Sequence, residues 1–337
     1  SHYHYGARPS CLEDIDKESA VLRFYRYGLP VSLLSLACSP FALAEEAAGA
    51  HELGQITVSA TRAHSTVAET PQKVLIISRE EIEEQLAISN DPGQVLSSLI
   101  PSYSPSRQKL SNAGESFRGR SPLFMIDGVP QSNPLRDSAR DSYTIDLSMV
   151  ERIEVIYGAS AEHGLGATGG IINYITRRAD TGTINQQASV SLTSDDDFDS
   201  DGQGHKVDYS ISGQKGDWDY LGAISQQKRG VFYDGNDQLV GIAYPGELQN
   251  STSYDVMGRV GYWIDDNQNV ELMLNHFELE GEGDYVPVPG NRDEGIPTRA
   301  RPGDPVGDPG FNKVTTASFS YSHADWFGNK ADVQLYS

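Results

Sequence analysis

Apolar and polar positions alternate through most of the second half of the chain. Seven runs carry the pattern, at 183–193, 206–215, 218–228, 253–264, 269–279, 313–324 and 330–336. One face holds Ala188, Val190 and Leu192; Val207, Tyr209 and Ile211; Val256, Val260, Tyr262 and Ile264; Ala317, Phe319 and Tyr321. The other holds Gln187, Ser189 and Ser191; Asp208, Ser210 and Ser212; Asp255 and Arg259; Ser318, Ser320 and Ser322. A period of two with one apolar face predicts strands in a sheet buried on one side. A soluble sandwich has such faces too, but the connections separate the two folds. Residues 194–205, 229–252 and 280–312 are long links, whereas 216–217, 265–268 and 325–329 are short, and the two kinds alternate strictly. All long links then fall at one end, as in an antiparallel transmembrane β-barrel with long external loops and tight periplasmic turns. Trp218, Tyr254, Trp263, Trp326 and Phe327 sit near run ends, where aromatic girdles belong, and the polar faces would line a wet lumen. Single-chain bacterial barrels have even strand numbers from about 8 upward. Seven runs with a chain end in mid-strand at Tyr336-Ser337 therefore predict a piece of a longer protein.

Ahead of the barrel pattern the punctuation changes. The run KVLIIS (73–78) reads as a strand, and Ser78 with Glu81 forms a capping box that opens a helix. Asp91, Pro92 and Gln94 open a second helix in the same way, with Val95, Leu96, Leu99 and Ile100 on one face and Pro101 as the stop. Strands follow at 123–126, turned by Asp127-Gly128, at 150–156 and at 169–176. These elements predict a small α+β domain over residues 70–180. Before it, LGQITVSATR (53–62) alternates Ile56 and Val58 with polar neighbours, and a Ser/Thr/Ala-rich stretch runs to Pro71. A tethered extended piece suits strand addition to a partner's sheet edge; an ordinary edge strand of the next domain fits the same residues.

Composition narrows the class. The 337 residues carry 47 acidic against 26 basic side chains, a formal charge of −21, which makes a poor nucleic-acid binder. The hydrophobic share is 38%, and no uncharged apolar stretch reaches the ~18 residues of a membrane helix. Seventeen Tyr and 10 Phe argue against a disordered chain. Cys11 and Cys38 both lie near the start, so no cysteine framework or thiolate metal site exists beyond them. Residues 23–44 have the order of a secretory signal peptide: Arg23 and Arg26, an apolar stretch, then Ala42-Leu43-Ala44. A leader, residues 1–22, precedes it. Ser35 stands where a lipobox around Cys38 needs Leu.

Several motifs have the spacing of chemical sites. Gly164, Gly166 and Gly169 spell G-x-G-x-x-G, yet the β-branched run IINYIT follows where a dinucleotide site needs a helix. Those glycines are expected to serve tight turns and close backbone approach. Asp197, Asp199, Asp201, Gly202 and Asp208 match a calcium loop except for its final Glu. The flanks read as strands, so a solvated acidic loop is the expectation and calcium the alternative. His163, His205, His276 and His323 have no ligand spacing, and no nucleophile–base or paired-carboxylate arrangement supports an enzyme.

The order signal peptide, short extended box, α+β domain and barrel resembles a TonB-dependent outer-membrane receptor. ITVSATR (56–62) resembles the TonB box, with Ile56, Thr57, Val58, Ser59 and Ala60 as its core. SFRGRSPLFMIDGVP (116–130) resembles the plug's RG and DG segment through Arg118, Gly119, Asp127 and Gly128. VERIEVIYGASAEHGLGATGGIINYITRR (150–178) resembles its ERIEV strand and glycine-rich loop through Glu151, Arg152, Gly158, Gly164, Gly169, Gly170 and Asn173. The FRGRSP link, the neighbourhood of Asp137 to Arg140 and the VFYDGN loop look closest to ferric-siderophore receptors of the aerobactin kind.

The resemblance implies an α+β plug followed by an antiparallel barrel of 22 strands, of which about seven are present. It divides the chain into leader and signal peptide (1–44), TonB box and linker (45–69), plug (70–180) and the first part of the barrel (181–337). No signalling domain precedes the box. The implied activity is energised import, without a cofactor of the protein's own, since iron travels inside the ligand. The implied partners are TonB with ExbB and ExbD, a ferric siderophore and outer-membrane lipid of a Gram-negative cell; the receptor is a monomer and binds no nucleic acid. Arg107, Lys109, Arg136 and Arg140 are the candidates for an anionic ligand, because Arg presents a planar donor fork matched to carboxylates. Haem, cobalamin or oligosaccharide are the alternative cargoes. A passive or adhesive barrel is the alternative class. Replacing Val58 with Pro removes a main-chain donor and opposes strand pairing. Uptake is expected to stop while ligand still binds at the cell surface; transport at the parental rate would remove the box.

Overall fold

The computed structural model describes residues 72–132, 140–160, 166–179, 184–242 and 246–337. The signal peptide and the box at 56–60 lie outside them. The α+β domain begins with β1 (Val74–Ile77), whose end runs into α1 (Arg79–Leu86). The Ser78–Glu81 box forms as expected: the Ser78 amide donates to Glu81 Oε2 at 2.8 Å, and the Glu81 amide donates to Ser78 Oγ at 3.3 Å. The second box does not form. At α2 (Pro92–Leu99) Asp91 caps by accepting from the Gly93 amide at 3.0 Å, but its own amide goes to Ser89 Oγ at 3.2 Å. With that donor satisfied, Gln94 turns to Ser98.

The remaining strands are β2 (Pro122–Ile126), β3 (Val129–Pro130), β4 (Val150–Tyr157) and β5 (Gly170–Thr176). They join β1 in the order β1-β4-β5-β2-β3, with β2 and β5 parallel and the other pairs antiparallel. Every residue of β2 and β5 is buried, which explains why PLFMI and GIINYIT read as continuous apolar runs rather than alternating ones. Gly169 and Gly170 belong to this packing. A Cβ on Gly169 would stand 2.5 Å from the carbonyl oxygen of Phe117 and 3.0 Å from that of Arg120. A Cβ on Gly170 would strike the Ile156 carbonyl.

The second sheet contains β6 (Asn185–Thr193), β7 (Gly204–Lys215), β8 (Trp218–Arg229), β9 (Ser251–Asp265), β10 (Gln268–Gly281), β13 (Phe311–Trp326) and β14 (Asn329–Tyr336). They pair antiparallel in chain order and do not close on themselves. The tight turns fall where the alternation placed them, with Lys215 paired to Trp218 and Trp326 to Asn329. An additional hairpin, β11 (Tyr285–Val288) with β12 (Arg299–Pro302), sits inside the third long link. No described helix is long and apolar enough to cross a membrane.

The faces of this sheet are inverted relative to a soluble protein. Val190, Ile224, Val256, Leu272, Leu274 and Phe319 point out and are exposed. Ser210, Ser212, Asp255, Arg259, Asn275 and Ser318 point in and are buried. The inner face is not the wet lumen expected: Asp255, Arg259 and Asn275 are each 1% exposed, because the α+β domain fills the concave side. Met257, Met273, Leu221 and Ala223 of the wall belong to the same apolar cluster as Phe124, Val155 and Ile172 of the domain. Only β6 is exposed along its whole length.

Gly169→Ala is expected to destabilise the chain by about 1–3 kcal/mol, since two main-chain carbonyls would have to move. Gly258→Ala, where the added Cβ meets nothing within 4 Å, serves as control. Thermal unfolding of the two variants in detergent checks this; equal melting temperatures would refute it.

Candidate functional site

The turn motifs converge at one point. Arg118 and Gly119 have φ of 56° and 74°, and Phe117 and Arg120 exchange main-chain bonds across them at 2.8 and 3.1 Å. Asp127 and Gly128 repeat the arrangement with φ of 47° and 80° between β2 and β3. Two successive positive φ values define the type I′ hairpin, which favours Gly at the second position. The second turn does more than reverse the chain. The Gly128 amide donates to Asn173 Oδ1 at 3.0 Å, and Asn173 Nδ2 donates to Glu154 Oε2 at 3.3 Å. Arg152 grips the other oxygen of Glu154 with Nε at 3.2 Å and Nη2 at 2.7 Å. Asp127 accepts from the Thr176 amide at 2.9 Å and its hydroxyl at 2.6 Å. Residues spread over fifty positions thus meet because β2, β5 and β4 are neighbours. Glu151, by contrast, is exposed.

From the wall, Arg259 of β9 enters this cluster. Its guanidinium ion-pairs with Asp127 and Glu271, and it donates to Thr176 Oγ1. Arg178 lies 3.5 Å from Glu271. Burial alone would push the Asp127 carboxyl up, but the Arg259 and Arg178 cations and the Thr176 bonds together hold it below its ordinary value. Among the described residues Arg259 Nε has no partner.

A second weld lies nearer the long links. Asp146 caps the 3-10 turn Leu147–Met149 by accepting from the Ser148 amide at 2.8 Å. Lys206 of β7 donates to its Oδ1 at 2.7 Å, and the Asp146 amide donates to Asp255 Oδ2 at 2.6 Å. Asn275 of β10 holds the other Asp255 oxygen. Burial raises the Asp146 carboxyl, yet the Lys206 charge and bond and the Ser148 bonds bring it down to about 2. Sequence reasoning missed Arg259, Lys206, Asp255 and Asn275 as functional residues. The signal for Arg259, Lys206 and Asp255 was charge on the inner face of spanning strands, where a charge is costly unless paired; Asn275, being neutral, gave none.

Three of the four candidate ligand cations are described, and all three lie on domain segments touching the long links. Arg107 Nη1 donates to the Ala113 carbonyl at 2.8 Å, inside its own loop. Lys109 ion-pairs with Glu247 of the second link. The Arg140 carbonyl accepts from the Tyr143 amide at 3.1 Å and from Asn312 Nδ2, at the foot of the third link, at 3.5 Å. Arg136 and Gly164 lie outside the described residues. Beneath the loop, Asp91 accepts from Tyr143 Oη at 3.2 Å and from Ser106, and Glu115 accepts from Tyr103 Oη at 3.0 Å. Burial pushes the Glu115 carboxyl up against that bond.

Asp197, Asp199 and Asp201 do not form a cation cage. Among the described residues no three acidic, His or Cys side chains converge on a point that could hold a metal. Asp201 instead takes Tyr233 Oη at 2.8 Å and Tyr285 Oη at 2.7 Å. The loop folds the Asp201 carboxylate towards the next two links.

Comparison with known proteins adds three findings. The family described as TonB-dependent Receptor Plug Domain matches residues 66–171. The rhizobactin receptor of Rhizobium meliloti (strain 1021) is 31% identical over 259 residues, covering 72% of this chain and 34% of that protein. The ferric aerobactin receptor of Klebsiella pneumoniae is 32% identical over 235 residues, covering 68% and 31%. The chain therefore spans about a third of the length of these relatives. A mutant of the ferric enterobactin receptor from Pseudomonas aeruginosa, solved with enterobactin, superposes with a TM-score of 0.57 at 18% identity, covering 80% of this chain and 41% of that one. At that identity the likeness is one of fold.

The Asp146–Lys206 pair carries a pH prediction. A carboxyl depressed to about 2 from an unfolded value near ~3.9 stabilises fully above the unfolded value and loses this as pH falls through the folded one. Lys206→Met strands a buried carboxylate and is expected to cost about 3–5 kcal/mol at pH 7. The deficit should shrink as acid protonates Asp146. Melting of the parent and variant in detergent from pH 7 to 3 checks this; a gap that stays constant with pH would contradict it.

Proposed function

Because the chain belongs to the TonB-dependent receptor family, we propose that it takes up a ferric siderophore across the outer membrane of a Gram-negative cell, drawing energy from TonB. The reading rests on one observation: an α+β domain seated on the polar inner face of an antiparallel sheet whose outer face is apolar. An outward face of Val, Leu and Phe suits lipid, and a filled interior suits a gated importer rather than an open pore. A passive or adhesive barrel needs neither the plug nor the two buried ion networks that hold it. The protein moves its ligand unchanged and is a transporter, not an enzyme.

The cargo we propose is of the aerobactin kind, supported by relatives that are receptors for rhizobactin and ferric aerobactin. Such a chelate needs cations at the mouth of an acidic protein. Arg107, Lys109 and Arg140 supply them from segments touching the long links, and Arg136 is added on its place in the sequence. In this reading TonB pairs with residues 56–60 by strand addition, and its pull must break the Arg259 and Asp146 welds before the plug can move.

The test is iron-limited growth of a strain lacking the gene, fed ferric aerobactin and complemented with the full-length receptor. Growth should return with the intact gene, and Arg136→Ala/Arg140→Ala should weaken binding to the purified receptor at least tenfold, about 1.4 kcal/mol. Growth on haem or cobalamin but not on ferric aerobactin would overturn the cargo. Affinity within twofold of the parent would take these arginines out of the site.

A further inference from the structure

One contact between the plug and the external loops is built differently from the deep welds. Residues 108–110 of the plug loop and 246–248 of the second long link run antiparallel and pair through Lys109 and Glu247. The main-chain bonds are few and long: the Leu248 amide donates to the Gln108 carbonyl at 3.1 Å, and the Leu110 amide to the Gly246 carbonyl at 3.4 Å. The Lys109 ammonium closes the pairing on the Glu247 carboxylate. The two charges are unequally placed. The Lys109 side chain keeps 28% of its surface, whereas that of Glu247 keeps 7%. A solute arriving from outside meets the cation and not its counter-ion.

We propose that the Lys109–Glu247 pair is a ligand-displaced latch: an anionic ferric chelate takes Lys109 from Glu247 and so loosens the contact between the second external link and the plug. The proposal rests on the siderophore reading for its ligand, and on geometry alone for the latch. The exchange is an ion-pair swap. A chelate oxygen replaces the Glu247 carboxylate on Lys109, and Glu247 is left without its cation in a shielded position. In the parent, part of the ligand's interaction is therefore spent on opening the contact, so Glu247 acts as an internal competitor for Lys109. The loop itself stays folded, because the apolar cluster of Leu110, Tyr143, Leu248, Phe277 and Leu279 remains beneath it.

The loosened link would not move alone. Tyr233 of the same link holds Asp201 of the first, and Asp234 ion-pairs with Arg299 of the β11–β12 hairpin in the third. Tyr285 of that hairpin takes the second Asp201 oxygen. The three links are tied to one another by bonds that do not pass through the plug, so a shift of the second is carried to the other two.

The test uses the full-length receptor in detergent, with ferric aerobactin as probe. Glu247→Gln removes the competing charge with little change of shape. It should bind ferric aerobactin at least tenfold more tightly than the parent. Before any ligand is added, hydrogen exchange should also be faster in the peptides containing Leu110 and Leu248. The swap Lys109→Glu/Glu247→Lys rebuilds the pair with reversed signs. It should restore the parent's exchange while losing the gain in affinity, which shows that the loop still folds. Affinity of Glu247→Gln at or below the parent's would overturn the latch, as would unchanged exchange. If the parent binds no ferric chelate, the siderophore reading falls, and the exchange comparison decides the latch alone: acceleration supports it and parental exchange rejects it.

Discussion

Everything in this molecule depends on a dry interface between charged surfaces. The inner wall of the sheet is polar, as a barrel lumen must be, and the plug packs against its centre closely enough to bury Asp255, Arg259 and Asn275. A charge in such a place is tolerated only when paired. Arg259 therefore reaches across to Asp127 while keeping Glu271, and Lys206 reaches across to Asp146. Neither network belongs to one domain. Each is completed only when the plug is seated, so the seated state is the one in which the inner charges are satisfied. Under the proposed import function the same feature eases release of the plug, because replacing these contacts with water restores solvation to every charged partner, whereas a wholly apolar interface would have to expose its surface.

This division of labour explains the distribution of apolar residues. The plug's own sheet is buried on both sides and uses continuous Ile-, Leu- and Phe-rich strands. The wall presents Val, Leu and aromatic residues outward and lends only Met257, Met273, Leu221 and Ala223 to the plug core. The plug's core is built mainly from its own residues, and the wall adds four apolar side chains and paired charges. The short motifs fit the same scheme. Arg152, Glu154, Asn173 and the Asp127-Gly128 turn are one hydrogen-bonded unit that sets the face offered to Arg259.

At the external end the contacts are shallower and easier to exchange. Lys109 with Glu247, Asn312 with the Tyr143 carbonyl, and Asp201 with two tyrosines link loops to plug and loops to loops. A graded interface, welded at depth and latched at the mouth, allows the mouth to respond to a ligand while the plug stays seated.

The sequence by itself determined the strands, their inward and outward faces and the alternation of long and short links. These depend on a period of two and on turn residues, and both are local. Turn chemistry likewise marked Ser78, Asp127-Gly128 and the close-packed glycines. What it could not contain was which polar residues would meet. Asp127 and Arg259 are 132 positions apart, and Asp146 and Lys206 are 60 apart. A charge on the inner face of a spanning strand signals the need for a partner, but nothing near either residue says which partner it meets. Seating the plug decided that, turning an expected wet lumen into a paired, buried wall. It also decided that Lys109 is shared with Glu247, and that Asp201 accepts from two tyrosines. Those outcomes follow from how separate segments are brought together, and only the tertiary structure specifies that.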